Sequence, residues 1–223
     1  MRISNASFET DNIVYFENLS FDLPINRWTC LLGTSGVGKT SLLKVITEQQ
    51  QNVSYMAQQD LLMPWLKVID NVLLGYKLRG EKSKALIAKA ENLLENVGLY
   101  SKRFAYPHQL SGGMRQRVAL ARTLMEQKPV VLMDEPFSAL DALTRLSMQS
   151  LAFELLKDKT ILLVTHDPWE ALRLGSQILV MAGFPAQLTA VTLPDDEPLR
   201  DVTDPELLSH YQHILKLLVG DVI

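Results

Sequence analysis

The spacing of apolar and polar residues divides the chain into strand-like and helix-like stretches. Short, continuously apolar runs bounded by turn residues are typical of buried strands, whereas apolar residues three and four positions apart are typical of helices. In "KTSLLKVITEQ", for example, Leu42, Leu43 and Ile46 fall on one helical face. Because such strands and helices alternate, the pattern predicts a mainly parallel sheet covered on both faces. The predicted strands are "MRISNASFE", "IVYFENLSFDL", "RWTCLLG", "NVSYMA", "PVVLMD", "KTILLVTH" and "SQILVM".

Between the strands predicted at "NVSYMA" and "PVVLMD" the pattern is mostly helical. The clearest helix is "KALIAKAENLLENVGL", which Gly98 is placed to end. A short helix, "PELLSHYQHILKLL", is predicted near the C-terminus. We therefore expect a single α/β domain over residues 1–223, with a helical subdomain inserted at about residues 59–127.

Net charge, cysteine content and the length of apolar runs limit the kinds of function that the chain can have. The net charge of −3 gives no reason to expect nucleic acid as a partner. The single cysteine, Cys30, excludes an internal disulfide and is expected to be a small core residue. No apolar run reaches the roughly 18 residues that span a bilayer, and the N-terminus is too polar for a secretory signal. We expect a cytoplasmic protein whose membrane role, if it has one, depends on a partner chain.

A phosphate-binding loop is predicted at "GTSGVGKT", Gly33 to Thr40, between a strand and a helix. The glycines let successive backbone N–H groups turn into one concavity, and the following helix directs its positive end to the same place. Lys39 is expected to reach the β- and γ-phosphates, and the Thr40 hydroxyl to coordinate Mg²⁺. Ser41 follows at the point where the helix begins to pack. The residues predicted to bind ATP are Gly33, Thr34, Ser35, Gly36, Val37, Gly38, Lys39, Thr40, Ser41 and Phe8.

Two carboxylates follow the buried strand "VVLMDEP". The carboxyl end of a parallel strand faces the ligand crevice of an α/β sheet. Asp134 is therefore expected in the Mg²⁺ shell. Glu135 is expected to polarise the attacking water.

The stretch "QLSGGMRQR", Gln109 to Arg117, is a poor start for an ordinary helix, because each glycine costs about 1 kcal/mol relative to alanine. A chain that carries it together with "GTSGVGKT" resembles the ATP-binding subunits of ABC transporters. The resemblance extends over nearly the whole chain. It implies the P-loop ATPase fold of that family, with a mainly parallel sheet, an N-terminal antiparallel β subdomain and a helical insert. Its further motifs are Gln58 in "YMAQQD", "SALD" at Ser138 to Asp141, and His166 in "LLVTHD".

In that family two subunits face each other head to tail, with each ATP held between the phosphate loop of one and the "LSGG" segment of the other. The resemblance thus implies a homodimer in which Ser111, Gly112, Gly113 and Asp141 serve the partner's nucleotide. Ser111 is expected to cap its helix, and the two glycines to let backbone N–H groups approach the phosphate.

Further roles follow only from the resemblance. Gln58 is expected to contact Mg²⁺ and the attacking water, and His166 the γ-phosphate and Glu135. Phe8 is the candidate for stacking on adenine, with Tyr15 as an alternative, although either ring could belong to the core. Arg115 and Arg117 are expected to be either functional residues or solvated charges on the helix surface.

The segment "QQDLLMPWLKVIDNVLLG" resembles importers of nitrate, sulfonates, taurine and thiamine precursors. The resemblance implies a transmembrane permease, and indirectly a solute-binding protein, as partners at the cytoplasmic face of the inner membrane. Residues 61–65 are expected either to receive the permease or to pack within the helical insert. The thiamine pyrimidine precursor is slightly preferred as solute. The alternative function is that of a non-importer ABC ATPase, in export, lipid transport or a non-transport role.

Overall fold

The computed structural model describes residues 1–193, 197–201 and 203–219, which form two compact units. The first unit contains residues 1–53, 129–135 and 155–223, and the second contains residues 54–128 and 136–154. The second unit thus includes residues 136–154 besides the predicted insert at 59–127. The predicted single domain over 1–223 stays a prediction, and its residues 194–196, 202 and 220–223 lie outside the described part of the chain.

The first unit is built on two sheets. Strands β1 (Arg2–Thr10) and β2 (Ile13–Asp22) pair antiparallel, as the expected N-terminal β subdomain requires. The larger sheet has the order β5-β6-β3-β7-β8 within this unit. Its first four strands are parallel, and β8 is antiparallel to β7. These strands are β3 (Trp28–Gly33), β5 (Val130–Asp134), β6 (Thr160–Thr165), β7 (Gln177–Gly183) and β8 (Ala186–Val191).

The predicted strands are confirmed, and the continuous apolar runs explain why. Every residue of β3, β5 and β6 is buried. This is the pattern of parallel strands with both faces covered. Strand β8 is not among the predicted strands, because its exposed positions interrupt the apolar pattern. The short strand β4 (Val53–Met56) lies where the chain passes from the first unit to the second.

The helices that the structure describes in the first unit are α1 (Lys39–Gln49), α7 (Pro168–Leu174) and α8 (Leu207–Val219). Leu42, Leu43 and Ile46 of α1 are fully buried in the core of this unit, as their spacing predicts. Cys30 is also fully buried, and this burial raises the pKa of its thiol well above the usual range.

The second unit is helical. Its buried positions include Val68, Val72, Leu94 and Val118. Gly98 has a positive φ of 71°, as expected of a residue just beyond a helix end. The helices are α2 (Val68–Val72), α3 (Leu74–Leu78), α4 (Lys84–Asn96), α5 (Gly112–Met125) and α6 (Ala142–Leu155), which ends at the boundary with the first unit.

Candidate functional site

The predicted phosphate loop joins the buried strand β3 to helix α1 in the first unit. Gly36 and Gly38 have positive φ angles of 84° and 108°, a region that residues with side chains rarely adopt. A Cβ on Gly38 would also lie 3.2 Å from the buried ring of Phe16. The loop therefore needs glycine at position 38 both for its backbone conformation and for its packing.

Lys39 is the first residue of α1, and its ammonium group lies under the loop. Nζ donates to the carbonyl oxygens of Gly33 and Thr34, at 2.8 and 3.0 Å. It also lies 3.8 Å from Oε1 of Glu135. Burial lowers the pKa of Lys39, and the carboxylates of Glu135 and Asp134 offset part of that effect.

Glu135 follows strand β5 and has a left-handed backbone, with a φ of 46°. Its backbone N–H donates to the carbonyl of Val164 at 2.9 Å, which ties it to β6. Its carboxylate is divided between two partners: Oε1 faces Lys39, and Oε2 lies 2.8 Å from Nδ1 of His166. The structure thus brings together three of the predicted site residues, from three separate parts of the sequence.

Thr40 and Asp134 also meet. The Thr40 hydroxyl donates to Oδ1 of Asp134 at 3.2 Å, and Asp134 is 6% exposed. A hydroxyl and a carboxylate oxygen are hard ligands of the kind that Mg²⁺ selects. These two residues therefore have the donor chemistry that a Mg²⁺ ion needs, and the ion stays a prediction.

His166 follows strand β6, and its side chain is about half exposed. When Glu135 is ionised, its oxygens only accept, so Nδ1 carries the proton in their contact. Helix α7 begins two residues later, where the carboxylate of Asp167 accepts from the N–H of Trp169 at 2.9 Å. Asp167 thus caps the start of α7, and Pro168 occupies its first helical position.

Phe8 lies in strand β1 and is partly buried against the core of the first unit. Its ring stacks on Phe16 with centroids 6.1 Å apart and contacts Tyr15 at 5.8 Å. Both candidates for adenine stacking, Phe8 and Tyr15, therefore belong to one aromatic cluster.

The segment with the two glycines lies in the second unit, at the start of helix α5. The Ser111 side chain accepts from the backbone N–H of Met114 at 3.3 Å, so the predicted cap is confirmed. Ser111 and Gly112 are exposed. A Cβ on Gly113 would lie 2.6 Å from the methyl group of Thr144, so this position needs glycine because α6 packs against it.

Asp141 caps helix α6. Its Oδ1 accepts from the Thr144 backbone N–H at 3.0 Å, and the hydrogen bonds from Thr144 lower the pKa of its carboxyl. From the family resemblance, Asp141 is expected only at a subunit interface. An aspartate immediately before a helix is a common capping residue, so the position of Asp141 just before Ala142 could have predicted this cap.

Gln58 also lies in the second unit, where its side-chain Nε2 donates to the Ser138 hydroxyl at 3.3 Å. Its backbone carbonyl accepts from Nε2 of Gln116 at 3.0 Å. Gln58 and Ser138 line a cavity of about 640 Å³ within this unit. The other residues lining it are Gln59, Asp60, Leu61, Gly112, Arg115, Gln116, Ala139 and Leu140.

Helix α5 holds the segment that follows Gln58. Arg115 Nε donates to the Asp60 carboxylate at 2.9 Å. Arg122 donates to the backbone carbonyls of Asp60 and Leu61, at 2.6 and 2.9 Å. Arg115 is thus an anchor rather than a freely solvated charge, and Arg117 donates to the Val97 carbonyl at 3.3 Å. The roles of Arg122 and Gln116 could not be predicted from sequence, because a hydrogen bond to a backbone carbonyl some sixty residues distant leaves no sequence signal.

Some side chains of residues 61–65 are exposed and others are buried. Leu61 is 54% exposed and Trp65 is 70% exposed, whereas Leu62 is buried. The fully buried Asn71 holds this loop: its amide donates to the carbonyls of Met63, Leu66 and Lys67 and accepts from the Met63 N–H. The apolar group is therefore in part core and in part exposed surface.

Comparison with known proteins identifies the family. A family model described as ABC transporter matches residues 16–52 and 47–138. An uncharacterized ABC transporter ATP-binding protein of Haemophilus influenzae is 42% identical over 99% of this chain and 99% of its own length. The taurine import ATP-binding protein of Rhizobium johnstonii is 41% identical over 78% of this chain and 74% of its own.

The fold agrees with this family. A chain from a solved inward-facing ABC transporter matches with a TM-score of 0.75 over 95% of this chain and 88% of its own, at 24% identity. Among the described residues, no helix is both long and apolar enough to cross a bilayer. The chain belongs to the ATP-binding proteins of ABC transporters, a family whose members bind and hydrolyse ATP.

Proposed function

We propose that this chain is the ATP-hydrolysing subunit of an importer and powers the uptake of a small solute through a separate permease. The observation that carries the proposal is the contact chain from Lys39 to Glu135 to His166 beside the phosphate loop. Family membership supports ATP as the ligand of this loop.

In the proposed site, residues 33–41 bind the triphosphate. The backbone N–H groups of the loop and the positive end of α1 bind the phosphate oxygens. The ammonium of Lys39, already under the loop, adds the charge for the β- and γ-phosphates. Phe8 or Tyr15 supplies an aromatic face for the base.

Glu135 is the proposed residue that orients and polarises the attacking water. Its φ of 46° and its backbone hydrogen bond to β6 fix where the carboxylate begins. His166 then holds one carboxylate oxygen through Nδ1, and its other nitrogen is the proposed partner of the γ-phosphate. This division leaves the carboxylate with one defined orientation, as positioned catalysis requires.

Mg²⁺ is the proposed cofactor, held by Thr40, Asp134 and Gln58. When bound, the ion would neutralise developing charge on the phosphate oxygens. Asp134 and Thr40 already form a pair of oxygen ligands in the first unit. Gln58 is proposed from the sequence resemblance, and its side chain is held by Ser138 in the second unit.

A homodimer is proposed to complete each nucleotide site. The exposed start of α5, with Ser111 and Gly112, presents first-turn backbone N–H groups, which by position have no partner within the helix. Such a terminus attracts an anion. Asp141, also exposed, is proposed to contact the partner beside its phosphate loop.

The solute is proposed to be taurine or a related small sulfonate, because a relative of 41% identity is named for taurine import. This choice replaces the slight preference for a thiamine precursor. Permease subunits are the proposed membrane partners, with a solute-binding protein acting on the other side. Through the permease, the chain would be peripheral at the cytoplasmic face of the inner membrane.

The experiment that tests hydrolysis is the substitution Glu135→Gln. The amide keeps the size of the side chain but removes its ability to act as a base. We expect ATP binding to persist, turnover to fall by about two to four orders of magnitude, and an ATP-dependent dimer to accumulate in size-exclusion chromatography.

The matched control is Glu154→Gln, at a position near the end of α6 outside the contact chain. It should retain wild-type turnover. Undiminished hydrolysis by the Glu135→Gln protein would refute the assignment of Glu135.

A further inference from the structure

Helix α7 begins immediately after His166 and has only seven residues, Pro168–Leu174. A helix of two turns is not stable by itself in water, because its nucleation is costly. Its place must therefore be set by the groups around it. His166 directly follows β6, and only Asp167 separates it from α7, so β6 and α7 together fix the backbone from which the imidazole extends.

The end of α7 is held by a segment from much later in the chain. Nη1 of Arg200, a residue only 7% exposed, donates to the carbonyls of Leu172 and Gly175, at 2.9 and 2.8 Å. The N–H of Leu199 donates to the carbonyl of Arg173 at 2.7 Å. The carbonyl groups at the end of this helix are thus satisfied by residues 199 and 200.

The start of α7 is held by helix α8. The Trp169 and Tyr211 rings are stacked, with centroids 4.5 Å apart and an interplanar angle of 16°. Leu207 and Ile214, one helical turn on either side of Tyr211, are buried. Tyr211 therefore lies between these two buried residues, on the face by which α8 packs against the rest of the first unit.

We propose that Tyr211 is a positioning residue for His166. Its ring fixes Trp169, which fixes the first turn of α7 and thereby the backbone at His166. The result is the 2.8 Å contact between His166 Nδ1 and Glu135 Oε2. This inference rests on the hydrolytic roles proposed above for His166 and Glu135, and it makes the C-terminal helix part of the support of the active site.

The test compares Tyr211→Ala, Tyr211→Leu and Tyr211→Phe with the wild-type chain. Gln212→Ala, at the neighbouring exposed position of α8, is the matched control. Small displacements of catalytic groups are costly, so kcat for ATP hydrolysis should fall about tenfold in the Ala and Leu variants. The phosphate loop is untouched, so KM should stay within about twofold of wild type. Tyr211→Phe retains the ring and should retain kcat, as should Gln212→Ala.

A second measurement observes His166 directly. In protein labelled with ¹⁵N-histidine, the His166 ring resonances should shift in the Ala and Leu variants and keep their wild-type positions in the Phe and Gln212→Ala variants. Tyr211→Leu retains apolar volume, so it keeps the test valid if Tyr211→Ala does not fold. Wild-type kcat and an unshifted His166 resonance in the Leu variant would overturn the proposal. So would a loss of kcat in Tyr211→Phe equal to that in Tyr211→Leu.

Failure of the proposed function gives a different result. In that case the folded wild-type protein would not hydrolyse ATP at all, and only the resonance comparison would test whether Tyr211 positions His166. A shifted resonance in the Leu variant would support that link, and an unshifted one would overturn it.

Discussion

Glu135 shows how a single residue is constrained at the candidate site. A left-handed backbone costs a residue with a side chain about 1–2 kcal/mol. Here the cost is offset by the hydrogen bond from the Glu135 N–H to Val164 and by two partners for the carboxylate. Because strain of this kind is concentrated at functional positions, the backbone of Glu135 supports its assignment independently of its place in a motif.

At the scale of single residues, Lys39 gives the sharpest binding prediction. Lys39→Ala removes the buried ammonium that lies within 3.0 Å of two loop carbonyls. We expect ATP affinity to fall by about a hundredfold or more, since charge-assisted contacts to phosphate contribute several kcal/mol in total. Isothermal titration calorimetry with ATP measures this change.

Lys44→Ala is the matched control, because Lys44 is an exposed lysine on the same helix. It should bind ATP as the wild-type protein does. Equal affinity in the Lys39→Ala and wild-type proteins would contradict the phosphate-loop assignment.

At the scale of elements, substitutions at two serine caps in the second unit distinguish an effect on stability from an effect on dimer formation. Ser111 caps α5, and Ser83 caps α4 by accepting from the Leu86 N–H at 3.1 Å. Replacing either serine by alanine should lower the free energy of unfolding by about 1 kcal/mol. Only Ser111→Ala should also weaken the ATP-dependent dimer, because only Ser111 belongs to the proposed interface.

Chemical denaturation and sedimentation of the ATP-bound protein measure the two effects. To keep hydrolysis from dispersing the dimer, both caps are best tested in the Glu135→Gln background. If both serine variants dimerise equally well, the start of α5 does not bind the partner's nucleotide.

Much of the element order follows from local pattern, whereas the supports of the site do not. Strands β3, β5 and β6 are predictable because every position is apolar and buried. Helix α1 is predictable from its buried stripe. Strand β8 alternates weakly and depends on pairing with β7, so its sequence alone does not predict it.

The candidate site divides in the same way. Lys39, Asp134, Glu135 and His166 each follow a strand or loop with a recognisable pattern, so they could be named in advance. The contacts of Arg122, Asn71 and Arg200 could not, because their partners are backbone carbonyls. Any residue presents a carbonyl, and only the folded chain determines which one is within reach.

At the scale of the whole molecule, the proposed function depends on contact with a separate permease. Trp65 is 70% exposed on a loop that Asn71 holds in place. Large exposed aromatic residues are common anchors of interfaces. Trp65→Ala should therefore weaken association with the permease by about tenfold or more while leaving basal ATPase activity within about twofold of wild type.

Co-purification with the permease, together with ATPase assays of the isolated chain, would check this. Ile25→Ala, at an apolar residue of similar exposure in the first unit, is the control and should change neither property. Equal loss of binding and of basal activity in Trp65→Ala would instead indicate that the indole supports the fold.

The order of the strands has a consequence for biosynthesis. Strand β3 pairs with β6 and β7, which leave the ribosome only after well over a hundred further residues have been made. Until then its apolar side chains have no sheet to join, and long-range pairing of this kind is slow and prone to aggregation. The nascent chain should consequently depend on chaperones that shield "WTCLLG" until "TILLVT" has been translated.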